Sequence, residues 1–223
     1  ASCRSPSDLV HNGRQEGEVV LVHVSGGPRL VQVLELEPHR LDSLYGMAFW
    51  LLHEQKLEEA QRYVDQLVSL HPTYLNGWLI AGSLAQQSKH VDKAIQAYQR
   101  AVSLNSHLVD PYFNLGVLYR QKEDFQEAAQ AFEHVTTLDK NNPEAHVNLG
   151  VVYAALSKID QAEKEYQTAL ALNPQLAEGH YNLGLLYEFH RNTPQKALKY
   201  YQEYVRLGGQ DDRIQTLLKR TKS

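Results

Sequence analysis

The stretch that decides the fold runs from Pro143 to Leu176, PEAHVNLGVVYAALSKIDQAEKEYQTALALNPQL. It reads as two amphipathic helices. The first gathers Val147, Leu149, Val152 and Tyr153 around the small Gly150, and the second gathers Ala162, Tyr166, Ala169, Leu170 and Leu172. Ser157-Lys158-Ile159-Asp160 supplies a polar turn between them. Asn173-Pro174 stops the second helix, because proline lacks the amide hydrogen and clashes with the preceding turn. Neither helix buries its apolar stripe alone, so the unit is stable only with a neighbour stacked beside it.

Such neighbours recur at a spacing of 34 residues. Leu149-Gly150 is matched by Leu115-Gly116 and Leu183-Gly184, and further back by Ala81-Gly82 and Met47-Ala48. The small residue of the second helix recurs as Ala60, Ala94, Ala128, Ala162 and, one residue late, Ala197. The aromatic or apolar residue after it recurs as Val64, Tyr98, Phe132, Tyr166 and Tyr201. With Trp78, Leu149, Gly150, Tyr153, Ala162, Tyr166 and Pro174 in the marked slots, the units resemble tetratricopeptide repeats. The resemblance covers Leu41 to about Leu207 and implies an all-α, right-handed superhelical α-solenoid.

The chain in order reads as a mobile arm (1–27), a degenerate half-repeat or capping helix (28–40), five repeats and a closing helix (208–223). The repeats span 41–74, 75–108, 109–142, 143–176 and 177–207. A hairpin from Val19–Val24 and Leu30–Leu36 competes with the half-repeat helix, whose Leu30, Val33 and Leu36 fall in repeat register between Pro28 and Pro38. The fifth repeat carries Glu188-Phe189-His190-Arg191-Asn192-Thr193-Pro194, which predicts a turn one residue longer. Gly208-Gly209 suits a left-handed helix cap, and Asp211-Asp212 opens a helix bearing Ile214, Leu217 and Leu218. Asp92, Asp124 and Asp160 stand near second-helix starts, where a carboxylate complements the helix dipole.

Composition narrows the function classes. A net charge of −4 argues against a general nucleic-acid binder, whose footprint is basic. No apolar run approaches the roughly 20 residues that span a bilayer, while Lys219, Arg220 and Lys222 leave peripheral membrane association open. A single cysteine, Cys3, excludes an internal disulfide framework and a cysteine zinc site. A cytoplasmic location is favoured. Ala1-Ser2-Cys3 resembles the end of a lipoprotein signal, which would imply a lipid anchor or the periplasm, but the charged and apolar parts of such a signal are missing.

No phosphate loop, HExxH or Gly-x-Ser-x-Gly elbow is present, so the chain reads as no enzyme and needs no cofactor. The 11 histidines lack ligand spacing, and no metal is expected; His146 and His180 share the slot of Trp78 and Tyr112, a packing position. In the family it resembles, first helices line a concave groove. Asn114, Asn148 and Asn182 stand two residues before consecutive glycines, and an asparagine amide matches the donor and acceptor of a peptide bond. This is similar to the asparagine ladder of O-linked N-acetylglucosamine transferases. Tyr45, Leu79, Phe113, Val147 and Tyr181 stand one residue earlier, and Phe49, Val117, Val151 and Leu185 one after the glycine position, an apolar lining. The chaperone-binding members of the family place lysine and arginine there, so a charge clamp is not expected. Asp42, Asp110, Glu144 and Glu178 recur at the second residue of four units, either as dipole partners or as an acidic rim.

The expected function is a non-catalytic adaptor or scaffold that receives a protein, peptide or helix in the groove. Two alternatives stay open. One is a self-assembling, head-to-tail homo-oligomer similar in layout to magnetosome-associated scaffolds, or a pilus-assembly lipoprotein of similar layout. The other is the targeting region of a larger enzyme.

Overall fold

The computed structural model describes residues 40–221. The expected arm, Cys3 and the half-repeat helix (Arg40 apart) lie outside the described residues. Among the described residues there are eleven α-helices and no strand, the make-up of an all-α repeat solenoid. The chain divides after Ser106 into two compact units. The first contains α1 (Leu41–His53), α2 (Leu57–Leu70), α3 (Leu75–Gln87) and α4 (Val91–Leu104). The second contains α5 (Val109–Gln121), α6 (Phe125–Leu138), α7 (Pro143–Ala155), α8 (Ile159–Leu172), α9 (Ala177–Leu185), α10 (Pro194–Arg206) and α11 (Asp212–Arg220).

Within each repeat the first helix lies against the second, and the contact is made by the smallest residue. A Cβ on Gly150 would stand 2.5 Å from Tyr166 Cε1, and one on Gly116 would stand 2.7 Å from Phe132 Cζ. The aromatic ring of the second helix therefore lies directly on the backbone of the first. Ala128 and Ala162, both at 0% exposure, allow the same approach from the other side. The core of the second unit continues through Val152, Leu183, Tyr201 and Ile214; that of the first unit is built on Leu44, Leu51, Val64 and Leu67. Each such side chain contributes about 1.5–3 kcal/mol on burial.

The turns inside repeats one to four share one device. Gln55, Lys89, Glu123 and Ser157 have φ near +60° (59°, 59°, 63° and 59°). At each, the next residue donates its N–H to a carbonyl five back, as Lys158 does to Tyr153 (2.8 Å), and the left-handed residue itself donates three back, as Ser157 does to Ala154 (3.0 Å). This is the Schellman arrangement, which satisfies the orphan carbonyls of the first helix. At the C-terminal end Gly208 takes the same role with φ of 92°.

Helix starts differ from expectation in detail. Asp124 is the N-cap residue of α6 but makes no side-chain cap bond. The caps of α4 and α8 are His90 and Lys158, which leaves Asp92 and Asp160 in the first turn as dipole partners. Side-chain caps occur at Asn142, which accepts from Ala145 N (3.0 Å), and at Asp211, which accepts from Ile214 N (2.9 Å).

The extra residue of repeat five does not simply lengthen a loop. Leu186–His190 forms a π-helical turn that continues α9, and Thr193 N–H donates to Tyr187 O at 2.8 Å. Around this turn Tyr187 donates to Glu163 (2.5 Å), and Arg191 bonds both Glu163 and Asp160. Glu188 accepts from Tyr201 (2.5 Å) and from Arg213 of α11 (2.9 Å), tying the closing helix to the repeat. The Arg213 guanidinium also lies 5.5 Å from the centre of the Phe189 ring, which is 65% exposed.

Candidate functional site

In the second unit the first helices of successive repeats touch, α5 against α7 and α7 against α9. Their free side is a face with no covering element among the described residues. Phe113, Val117, Val151, Tyr181 and Leu185 are half-buried on these helices. Phe113 meets Phe132 edge-on with ring centres 5.6 Å apart, and Tyr181 leans on Tyr204 at 5.1 Å. Each aromatic is thus held by the second helix behind it.

Val147 departs from the expected lining. It is completely buried, because Gly179 lets the start of α9 close over it; a Cβ there would stand 2.8 Å from Leu170 Cδ2 and 3.8 Å from Val147 Cγ2. Val147 is a core residue.

The three asparagines are not equivalent rungs. Asn114 lines an open cleft of about 350 Å³ with Val109, Asp110, Phe113, Asn142 and Glu144. Asn148 turns its Nδ2 back on its own helix, to Glu144 O at 2.9 Å. Asn182 holds its Nδ2 enclosed without any hydrogen-bond partner. Only Asn114 presents its amide as the sequence pattern implies. Asp110 and Glu144 come from the residues read in the sequence as dipole partners or an acidic rim, whereas Asn142 was not singled out, although the Asn-Pro pair that caps α7 marks where the cleft lies.

In the first unit Leu79 and Tyr45 are half-buried, whereas Phe49 is 54% exposed. Tyr45 stacks on Phe49 (6.1 Å) and meets Tyr74 edge-on (5.7 Å), so this aromatic cluster faces outward on α1.

The aromatic slot four residues before each glycine does more than pack. Trp78 Nε1 donates to Pro72 O (2.9 Å), His180 Nε2 lies 2.9 Å from Pro174 O, and His146 Nε2 lies 3.2 Å from Lys140 O. Each ring nitrogen thus pins the turn that precedes its helix, at the carbonyl six residues back. His146 also places Nδ1 2.6 Å from Glu165 Oε2, which sets a carbonyl on one side of the ring and a carboxylate on the other. Among the described residues no group of three or more His, Cys, Asp or Glu is placed to hold a metal ion, and no helix is long and apolar enough to cross a membrane.

The rings that cross the glycines carry their hydroxyls through to the first helices. Tyr98 donates to Gln86 Oε1 (3.1 Å) and Tyr201 to Glu188 Oε2 (2.5 Å); Gln86 and Glu188 each stand four residues after the glycine that their ring crosses. Burial pushes the Tyr98 phenol up to about 12. Tyr201 is raised as well, first by burial and then by its bond to Glu188. For Tyr166 burial again leads, Glu178 adds to it, and Arg120 acts against it.

Two family profiles match the chain, one described as "Tetratricopeptide repeat" over residues 119–186 and one as "TPR repeat" over residues 87–121. No curated protein matches at the level of sequence. Among solved structures, YrrB, described as a TPR protein with an unusual peptide-binding site, superposes with a TM-score of 0.75 at 19% identity, over 86% of this chain and 98% of YrrB. MamA from Desulfovibrio magneticus RS-1 superposes with a TM-score of 0.71 at 15% identity, over 75% of this chain and 94% of that one. PilF of Pseudomonas aeruginosa gives 0.63 at 21% identity, over 78% and 79%. At such identities the likeness is one of fold. Register, glycine–aromatic contacts and family profiles agree: the chain is a tetratricopeptide repeat protein.

Proposed function

We propose that the chain is a non-catalytic protein-interaction scaffold and that the first-helix face of α5, α7 and α9 receives an extended peptide segment of a partner. The observation that carries this reading is the cleft between the starts of α5 and α7. There Phe113 supplies an apolar wall while Asn114, Asn142, Asp110 and Glu144 supply hydrogen-bonding groups. An apolar surface with a few placed polar groups is what a peptide needs for affinity and register. Likeness in fold to YrrB, whose description names a peptide-binding site, supports the same reading.

The test is selection of 12-residue peptides from a random display library on the full chain, followed by affinity measurement on Phe113→Ala, Asn114→Ala and Tyr181→Ala variants. Losing a hot-spot aromatic from the face weakens a selected peptide by at least about thirtyfold, or about 2 kcal/mol. Peptides that bind all three variants as tightly as the parent would contradict the reading.

A second reading rests on Phe49. Its exposure beside Tyr45 favours self-association through α1 of repeat one, a head-to-tail contact between copies. Light scattering of the chain and of Phe49→Asp separates the two: a concentration-dependent oligomer abolished by the substitution supports self-assembly, and a monomer at all concentrations removes it.

A further inference from the structure

The closing helix α11 stands in register as the first helix of a further repeat. Asp212 follows Ala177 by 35 residues, the 34 of the register plus the extra residue of the π-helical turn. Ile214 and Leu218 fall in the slots of Gly179 and Leu183 and are buried, as first-helix residues against the stack must be. Arg213 takes the slot of Glu178. Its Nη2 lies 3.3 Å from the Tyr201 hydroxyl, the counterpart of the influence that Glu178 has on Tyr166 one repeat earlier. Lys219 stands exposed in the glycine slot, and among the described residues no second helix lies behind it.

This register carries the first-helix face one helix further. The cleft at α5 is lined by the first, second, fifth and sixth residues of that helix, Val109, Asp110, Phe113 and Asn114. A cleft of about 380 Å³ at α11 is lined by the same four positions and the ninth: Asp212, Arg213, Thr216, Leu217 and Arg220. The chemistry changes between them. The second position, acidic as Asp110, Glu144 and Glu178, becomes Arg213, and the ninth, aliphatic as Val117, Val151 and Leu185, becomes Arg220. Glu188 holds the Arg213 guanidinium at 2.9 and 3.0 Å, beside the exposed ring of Phe189, so one cation is fixed next to an aromatic wall. Arg220 follows two turns later on the same side of α11, with Lys219 exposed next to it. Arg213, Lys219 and Arg220 outnumber Asp212 and Glu188, so the face runs from an acid-rimmed end at α5 to a cationic end at α11. All five lining residues belong to one helix, which leaves the cleft open lengthways for a chain to pass over it.

We propose that the binding face continues onto α11 and ends in a subsite for an Asp or Glu side chain of the docked segment, received by Arg220 and Thr216 beside the Arg213–Phe189 pair. The subsite rests on the peptide-binding reading of the face and gives the segment a direction of charge. Its apolar residues lie on Phe113, Val151 and Tyr181, and its carboxylate lies at α11. The Thr216 hydroxyl donates to that carboxylate and the Arg220 guanidinium pairs with it.

The test is parallel selection of 12-residue peptides with blocked C-termini on the full chain and on its Arg220→Glu variant, both first checked for an intact fold by circular dichroism. Peptides selected on the parent are expected to carry Asp or Glu at a fixed distance, on one side, from the apolar residue that depends on Phe113. Arg220→Glu is expected to select Lys or Arg at that same place. Changing the carboxylate of a parent-selected peptide to its amide weakens binding about two- to fivefold, the range of an exposed ion pair, and the difference fades in 1 M salt. Bound peptide also shifts the NMR signal of the Thr216 methyl. Parent-selected peptides without a carboxylate preference, or an unchanged preference on Arg220→Glu, overturn the subsite; if those peptides still need Phe113, the face stands without it. Peptides indifferent to Phe113, Asn114 and Tyr181, or a library that yields no binder, remove the face and the subsite together.

Discussion

Replacing Gly150 by alanine tests the packing account in one residue. In an open helix the change stabilises by about 1 kcal/mol, because glycine is the poorer helix former. Here the new Cβ would lie 2.5 Å from Tyr166 Cε1, 2.7 Å from Cδ1 and 3.1 Å from Cζ, against a ring that is only 3% exposed. Three ring atoms must give way, and the ring is fixed between two helices, so overpacking costs about 3 kcal/mol, the upper part of its usual range. The net expectation is a loss of about 2 kcal/mol, or a melting temperature lower by about 4–8 °C for a chain of this size. Thermal melts by circular dichroism read the shift. A second background isolates its cause. In Tyr166→Leu the ring is gone, and Gly150→Ala should then be neutral or stabilising by up to about 1 kcal/mol. If Gly150→Ala stabilises the parent chain, or costs the same in both backgrounds, the ring-on-glycine contact does not hold the repeat together.

Three further outcomes follow from single features. Lys89 sits at φ of 59° in a turn with no glycine, so Lys89→Gly should raise stability by about 0.5–1 kcal/mol, seen as a higher melting temperature. Tyr98 and Tyr187 are both raised to about 12, so between pH 10 and 12 the unfolded chain loses phenol protons that the folded chain keeps; stability is full below about pH 10 and falls as pH rises through 12, measurable as urea midpoints against pH. Arg213→Ala removes the bonds to Glu188 and Tyr201, and hydrogen exchange should speed up in Asp212–Arg220 while α7 and α8 stay protected.

The 34-residue register was legible because it is written in small residues. Gly116, Gly150 and Gly184 and their alanine partners are required at every helix contact, and helices open at Leu41, Leu75, Val109, Pro143 and Ala177 accordingly. The left-handed turn residues were not legible, since Gln55, Lys89, Glu123 and Ser157 carry none of the glycine signal that marks such a cap. Val147 was misread for a related reason. Position within its own helix points it at the groove, but Gly179 of the next repeat decides how closely α9 approaches and covers it. The asparagine row was legible as a pattern only; whether an amide bonds its own helix, as Asn148 does, depends on side-chain rotation that spacing does not encode.

The central claim is that the first-helix face of repeats three to five is the working surface. Its most direct test is a footprint of a display-selected peptide on the full chain by hydrogen exchange and side-chain NMR. The account predicts protection and shifts on α5, α7 and α9, centred on Phe113, Asn114, Val117, Val151 and Tyr181, with α6, α8 and α10 unchanged. A footprint confined to α6, α8 and α10 would contradict it.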